Sequence, residues 1–161
     1  MDLRWKPNVT VAAIIEHDGR YLLVEEHTTD GLRLNNPAGH LDPGESPMHG
    51  CQREALEETG YLFEPEHLVG VYLSRSNHPA SGEDITYLRF AFGGTLGAHD
   101  AMRALDTGIV RTVWMTPQEV RESATRHRSP LVLQCMEDHL RGQRHPLSLI
   151  YVDPSVTRAC P

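Results

Sequence analysis

From Ser46 to Gly60 the chain reads SPMHGCQREALEETG, a segment whose punctuation admits little besides one helix. Ser46 can accept a hydrogen bond from the first free backbone N–H groups, and Pro47 suits the first helical position, where no N–H is needed. Gly60 suits the left-handed residue that ends a helix. The spacing predicts a helix from Pro47 to about Thr59. Glu54, Glu57 and Glu58 then stand at i, i+3 and i+4 and share one face, while Met48, Cys51, Ala55 and Thr59 fall on another that can pack against a sheet. Carboxylates so close repel one another, by a few tenths of a kcal/mol per pair in water and by more when partly buried. Taken alone, the pattern also fits a solvated acidic face with Arg53 paired to Glu57.

Around this helix the chain is mostly strand-forming. Val9–His17 is apolar and β-branched, Asp18-Gly19 is a turn signal, and Arg20–His27 is a second apolar run, so a hairpin is expected there. The Gly/Pro/Asn-rich stretch from Thr28 to Ser46 reads as loop with a short strand at Leu32–Leu34. Further strands are expected at His67–Ser76, Asp84–Leu96, Gly108–Thr116 and Pro146–Val152. A short helix should open at Thr116-Pro117 and run to about Ser123. Another has Ser129 as cap, Pro130 at its first position and Gly142 at its stop. Strands outnumber helices and hairpins occur among them. That predicts a mixed sheet flanked by a few helices, not a doubly wound parallel sheet.

Composition narrows the function classes. The 161 residues suit one domain with a real core. Net charge is −7, Lys6 is the only lysine, and the basic stripe a nucleic-acid surface needs is absent. No apolar run approaches the ~20 residues that span a bilayer. The first residues lack the apolar core of a signal peptide. Cys51, Cys135 and Cys160 are odd in number and widely spaced, against a disulfide framework or a zinc site. A cytoplasmic protein without nucleic-acid or membrane partners is expected, with a monomer as the default. The EF-hand pattern of alternating Asp/Asn before a glycine is missing.

The spacing around the helix is more specific than the helix itself. Gly39 is followed by five residues and Glu45, then by seven residues and REALEETGY, giving G-x5-E-x7-R-E-U-x-E-E-x-G-U with U apolar or bulky. Gly39, Glu45, Arg53, Glu54, Glu57, Glu58 and Gly60 fill the fixed positions, and Ala55 and Tyr61 are acceptable at U. This resembles the signature of the Nudix hydrolases. KPNVTVAAIIEHDGRYLLVEE, NNPAGHLDPGES, YLRFAF and RSPLVLQCMEDHLRGQRHPLSLI extend the resemblance to the NudJ-like group of that family, over residues 6 to about 151.

The resemblance implies a single Nudix hydrolase domain over 1–161 with a Nudix-type α/β/α sandwich fold. It also implies hydrolysis of a phosphoanhydride by water attack at phosphorus. Clustered oxygen ligands without sulfur or imidazole suit a hard cation. Mg²⁺ is the expected cofactor, with Mn²⁺ able to substitute, held by Glu54, Glu57, Glu58 and the Gly39 carbonyl. Such an ion removes the repulsion on the helix face. Glu54 is either a ligand or the base that takes the water's proton, and Arg53 orients the glutamates. Glu45 supports this loop or a metal, or else complements the helix start. Many relatives bring a further acid from the loop before the strand that carries Trp114. Six residues before that Trp stands Gly108, and Asp106 is the substitute, alternatively a turn residue in LDTG.

The group implies a small-molecule pyrophosphate as substrate: hydroxymethylpyrimidine pyrophosphate, thiamine pyrophosphate or nucleoside di- and triphosphates. The alternatives are a general nucleotide or nucleotide-sugar pyrophosphatase and a nucleotide-sensing domain without catalysis. Leu34-Asn35-Asn36 departs from the aromatic and amide that commonly precede Pro-Ala-Gly in the group. Asn35 and Asn36 are candidates to bond a ring edge. Tyr87 and Arg89 share a strand face opposite Leu88 and Phe90, and Arg89 can meet a phosphate. Amide caps and an exposed strand face are the alternatives for these four.

Overall fold

The computed structural model describes residues 3–158, so Cys160 lies outside the described residues. Along the chain the elements are β1 (Asn8–Ala13), β2 (Glu16–His17), β3 (Arg20–Thr28), β4 (Gly31–Asn35), β5 (Ala38–His40) and α1 (Pro47–Thr59). These are followed by β6 (Tyr61–His78), β7 (Glu83–His99), β8 (Ile109–Met115), α2 (Pro117–Glu122), α3 (Leu131–Leu140) and β9 (His145–Pro146). One sheet has the order β5-β1-β7-β6-β9 and is mixed: β1 and β7 run parallel, while the other neighbours are antiparallel. In the other sheet β3 pairs with β2, β4 and β8.

The expected hairpin from Val9 to His27 shrinks to its turn. Glu16 and His17 pair with β3 across Asp18 and Gly19, which both take positive φ, and Ile15 O accepts one further bond from Leu22 N–H at 2.9 Å. The residues before Ile14 leave for the mixed sheet, where β1 pairs with β5 and β7 on its two edges and Thr10–Ala13 are buried at successive positions, as in a strand covered on both faces. Alternate side chains of β1 and of the two residues after it go to opposite sides. Val11, Ala13 and Ile15 join Cys51 and Ala55 of α1 in one core. Ala12 and Ile14 join Val132, Cys135 and Met136 of α3 in the other. Helices thus cover both faces, which is the α/β/α sandwich.

α1 forms as its punctuation dictates. Ser46 Oγ accepts from the His49 N–H at 3.1 Å, and Gly60 closes the helix at φ +74° with its N–H on Leu56 O at 2.9 Å. α2 has a complete capping box between Thr116 and Glu119. α3 starts one residue later than expected, with Pro130 itself at the cap. The expected strand at Pro146–Val152 is corrected: β9 ends at Pro146, and Leu147–Leu149 form a 3₁₀ turn in which Ile150 N–H bonds Leu147 O at 3.0 Å. Proline offers the sheet no donor, and the local turn takes over. No helix among the described residues is long and apolar enough to cross a membrane.

Candidate active site

The acidic face of α1 is organised by Arg53. Its Nε and Nη2 donate to the two oxygens of Glu45 at 2.9 and 2.7 Å. Nη1 donates to Glu54 Oε1 at 2.7 Å and to Glu57 Oε2 at 3.1 Å, and Nη2 also reaches the His40 carbonyl at 2.9 Å. One planar cation therefore ties the loop before the helix to two carboxylates on it, a geometry that a flexible ammonium could not reproduce. Glu45 accepts the Asp42 N–H as well, at 2.8 Å, and its pKa is lowered chiefly by the hydrogen bonds from Arg53. Of the alternatives for Glu45, the contacts place it on Arg53 and the loop.

Gly39 lies on β5 directly against this face. A Cβ there would collide with Oε1, Cδ and Oε2 of Glu54, so only glycine lets the backbone and that carboxylate approach as they do. Next to it, the Ala38 N–H donates to Glu58 Oε2 at 3.0 Å. Glu58 thus turns toward the β5 backbone, although it shares the helix face with its neighbours. Burial, with 7% of the residue exposed, pushes its pKa up to about 9. Burial also raises the pKa of Glu54, partly opposed by Arg53.

Asp106 arrives from the loop before β8. Its N–H bonds the Glu57 carbonyl at 3.0 Å and its own carbonyl accepts from Ile109 N–H at 3.0 Å, so it is a turn residue and a neighbour of the helix at once. One carboxylate oxygen each from Glu54, Glu57 and Asp106 lie within 4.8 Å of one another. All the donors are carboxylate oxygens. Such a set fits a hard divalent cation and has no soft or imidazole ligand to select another metal. Arg53 compensates part of the charge on Glu54 and Glu57, and a divalent cation would compensate the rest.

A cleft of about 860 Å³ opens beside Ala38 and Gly39 and extends between the two sheets. Arg89, Tyr87 and Asn35 line it. Arg89 is 6% exposed, and its Nη1 and Nη2 donate to Asn36 Oδ1 at 3.0 Å and Asn35 Oδ1 at 3.3 Å. The asparagines and the arginine, expected separately, form one network. Tyr87 lies within 6.3 Å, ring to ring, of His40. Phe90 packs on the opposite side of β7, in the core under α1.

Glu26, one of the residues lining this cleft, was not among the candidates read from the sequence. Glu26 of β3 accepts from Arg128 Nη1 at 2.9 Å and from Asn35 Nδ2 at 3.3 Å. Both charged residues line the cleft. The only local signal was a doubled acid ending an apolar strand. Glu25 faces the other way and pairs with Arg111 and Arg126.

Comparison with known proteins agrees with this geometry. The NUDIX domain family matches residues 4–135. The chain is 33% identical over 146 residues to Phosphatase NudJ of Escherichia coli K12, covering 91% of this chain and 92% of that one. Among solved structures it is similar to a NUDIX hydrolase from Nitrosomonas europaea, at 50% identity and a TM-score of 0.84, covering 92% and 98% of the two chains. A MutT NUDIX hydrolase from Burkholderia pseudomallei shares the fold at 20% identity and a TM-score of 0.64, over 83% of this chain and 98% of that one. With the signature spacing realised as one Arg53-organised carboxylate face, the chain belongs to the Nudix hydrolases, enzymes acting on phosphoanhydride bonds.

Proposed function

We propose that the chain is a Mg²⁺-dependent hydrolase of a small pyrophosphate, its single domain acting as a monomer, with Mn²⁺ able to replace Mg²⁺. The observation that carries this reading is the convergence of Glu54, Glu57 and Asp106 oxygens within 4.8 Å of one another, against Gly39, a residue that also lines a cleft large enough for a nucleotide. Glu54, Glu57, Glu58 and the Gly39 carbonyl, with Asp106, would hold the cation. The bound ion would polarise a phosphoryl oxygen and lower the pKa of the attacking water.

The chain's own groups do the rest. Arg53 fixes the glutamate rotamers and keeps their charge compensated. Glu54 would offer one oxygen to the cation, and its other oxygen, on a carboxylate held by Arg53 and raised in pKa by burial, takes the proton of the water that attacks phosphorus as the bridging P–O bond breaks. Arg89, braced by Asn35 and Asn36, faces the phosphates, and Tyr87 lies along the organic half.

Among substrates, the resemblance favours hydroxymethylpyrimidine pyrophosphate, thiamine pyrophosphate or nucleoside di- and triphosphates. A general nucleotide or nucleotide-sugar pyrophosphatase is the second reading, supported by the volume of the cleft and its polar lining. The test is Mg²⁺-dependent release of phosphate and pyrophosphate from thiamine-pathway pyrophosphates, nucleoside phosphates, ADP-ribose and a dinucleoside polyphosphate, with Glu57→Gln as control. Fastest turnover of the thiamine-pathway compounds, lost in the variant, supports the first reading, and faster turnover of nucleotides or ADP-ribose supports the second. No cleavage with any divalent cation refutes both.

A further inference from the structure

Glu26 is a carboxylate placed where an anionic substrate must pass. It lines the cleft beside Ala38 and Gly39, and its side chain is 12% exposed. Its Oε1 is held twice, by Arg128 Nη1 at 2.9 Å and Asn35 Nδ2 at 3.3 Å. Among the described residues its Oε2 accepts no hydrogen bond, and this oxygen is not sealed from solvent. The side chain is thus fixed at one oxygen and open at the other.

A carboxylate here repels a pyrophosphate, and the Arg128 guanidinium compensates that charge. A free, oriented acceptor gains binding energy only from a donor. Phosphate oxygens at neutral pH are acceptors, so the donor belongs to the other half of the substrate. We propose that Glu26 is a specificity-determining residue whose Oε2 accepts a hydrogen bond from an N–H or O–H on the organic half of the substrate. The assignment rests on reading the cleft as the substrate site.

The roles divide across the cleft. From one sheet Arg89 offers donors to the anionic half, while from the other Glu26 offers an acceptor to the neutral half. The Asn35 amide links the two, donating to Glu26 through Nδ2 and accepting from Arg89 through Oδ1. Donor and acceptor are therefore fixed relative to each other, which sets the orientation of what lies between them. A hydrogen bond to a charged, partly buried acceptor discriminates by roughly 10- to 100-fold.

The test uses Glu26→Gln, which keeps an Oε1 acceptor for Arg128 and Asn35 but turns the free end from acceptor to donor. Values of kcat/KM are measured with Mg²⁺ for two matched pairs. ATP against purine riboside triphosphate removes an exocyclic amine, and ATP against its 2′-deoxy form removes a hydroxyl. The expected result is that the unmodified protein prefers the donor-bearing member of one pair by roughly 10-fold or more, and that Glu26→Gln abolishes or inverts this preference. The pair that responds tells amine from hydroxyl. Unchanged ratios in the variant overturn the proposal. So does a uniform loss on all substrates with a raised Mg²⁺ requirement, which would put Glu26 in the metal site. If Glu26→Gln does not fold, the unmodified protein still decides, because no discrimination within either pair overturns the assignment. Absence of hydrolysis with any divalent cation is a separate failure, of the functional reading itself, and takes this assignment with it.

Discussion

Replacing Gly39 with alanine adds one methyl group and separates catalysis from folding. A Cβ at this position would overlap all three atoms of the Glu54 carboxylate, far inside van der Waals contact. The obstacle is the end of a flexible side chain and not backbone, and Gly39 does not need positive φ, so the fold accommodates the change by moving Glu54. The carboxylate must retreat by about an ångström, away from the position where Glu57 and Asp106 oxygens meet it. A misplacement of that size costs roughly 100-fold in rate, or about 2.7 kcal/mol of transition-state stabilisation. Steady-state kinetics of Gly39→Ala with Mg²⁺ and a cleaved pyrophosphate should show this loss mainly in kcat, with a circular-dichroism spectrum like that of the unmodified protein. A kcat within about threefold of the original would refute the reasoning, because the overlap would then have no chemical consequence. A collapse of the fold would refute it differently, by showing that Glu54 cannot give way.

Arg53→Lys removes the fork that holds Glu45, Glu54 and Glu57 together, and should lower kcat by roughly 10- to 100-fold while raising the Mg²⁺ needed for half-maximal rate. An unchanged Mg²⁺ profile would contradict its positioning role. Glu58 binds its proton more tightly in the metal-free fold than in the unfolded chain, because burial raises its folded pKa to about 9. The metal-free protein therefore has this contribution in full below the ordinary carboxylate range and loses it as pH rises toward about 9. Thermal melts in chelator should accordingly show Tm falling from about pH 6 to about pH 9, and added Mg²⁺ should restore more at the upper end, since the cation displaces the proton. A Tm shift by Mg²⁺ that is independent of pH would exclude Glu58 from the linkage. Ser46→Ala deletes the cap of α1 and should cost about 1 kcal/mol, a Tm decrease of roughly 2–4 °C for a chain of this size, measured by calorimetry.

The helix and its carboxylates were legible because their signals are local. Cap, first-turn proline and closing glycine lie within one segment, and spacing along a helix fixes which side chains share a face. Three matters were not local. The run from Val9 could not reveal that it leaves the hairpin for another sheet, since a doubly buried strand carries no alternation to mark its partner. Asp106 meets Glu57 only because the loop before β8 folds over the end of α1. Glu58 shares the face yet bonds Ala38 N–H, a partner supplied by β5. The cleft was only partly readable. Arg89, Asn35 and Asn36 stood out singly, but their mutual hydrogen bonds join β7 to the end of β4 and the residue after it, and Glu26 gave almost no sign of facing them.

The proposed function requires that carboxylates from α1 and the loop before β8 form one cation site. Titration of Mn²⁺ followed by electron paramagnetic resonance tests it directly, comparing the unmodified protein with Glu54→Gln, Glu57→Gln and Asp106→Asn. Tight binding by the unmodified protein that weakens roughly 10-fold or more in every variant is the predicted result. Mn²⁺ affinity that stays the same when any of these three carboxylates is neutralised would contradict the site as drawn.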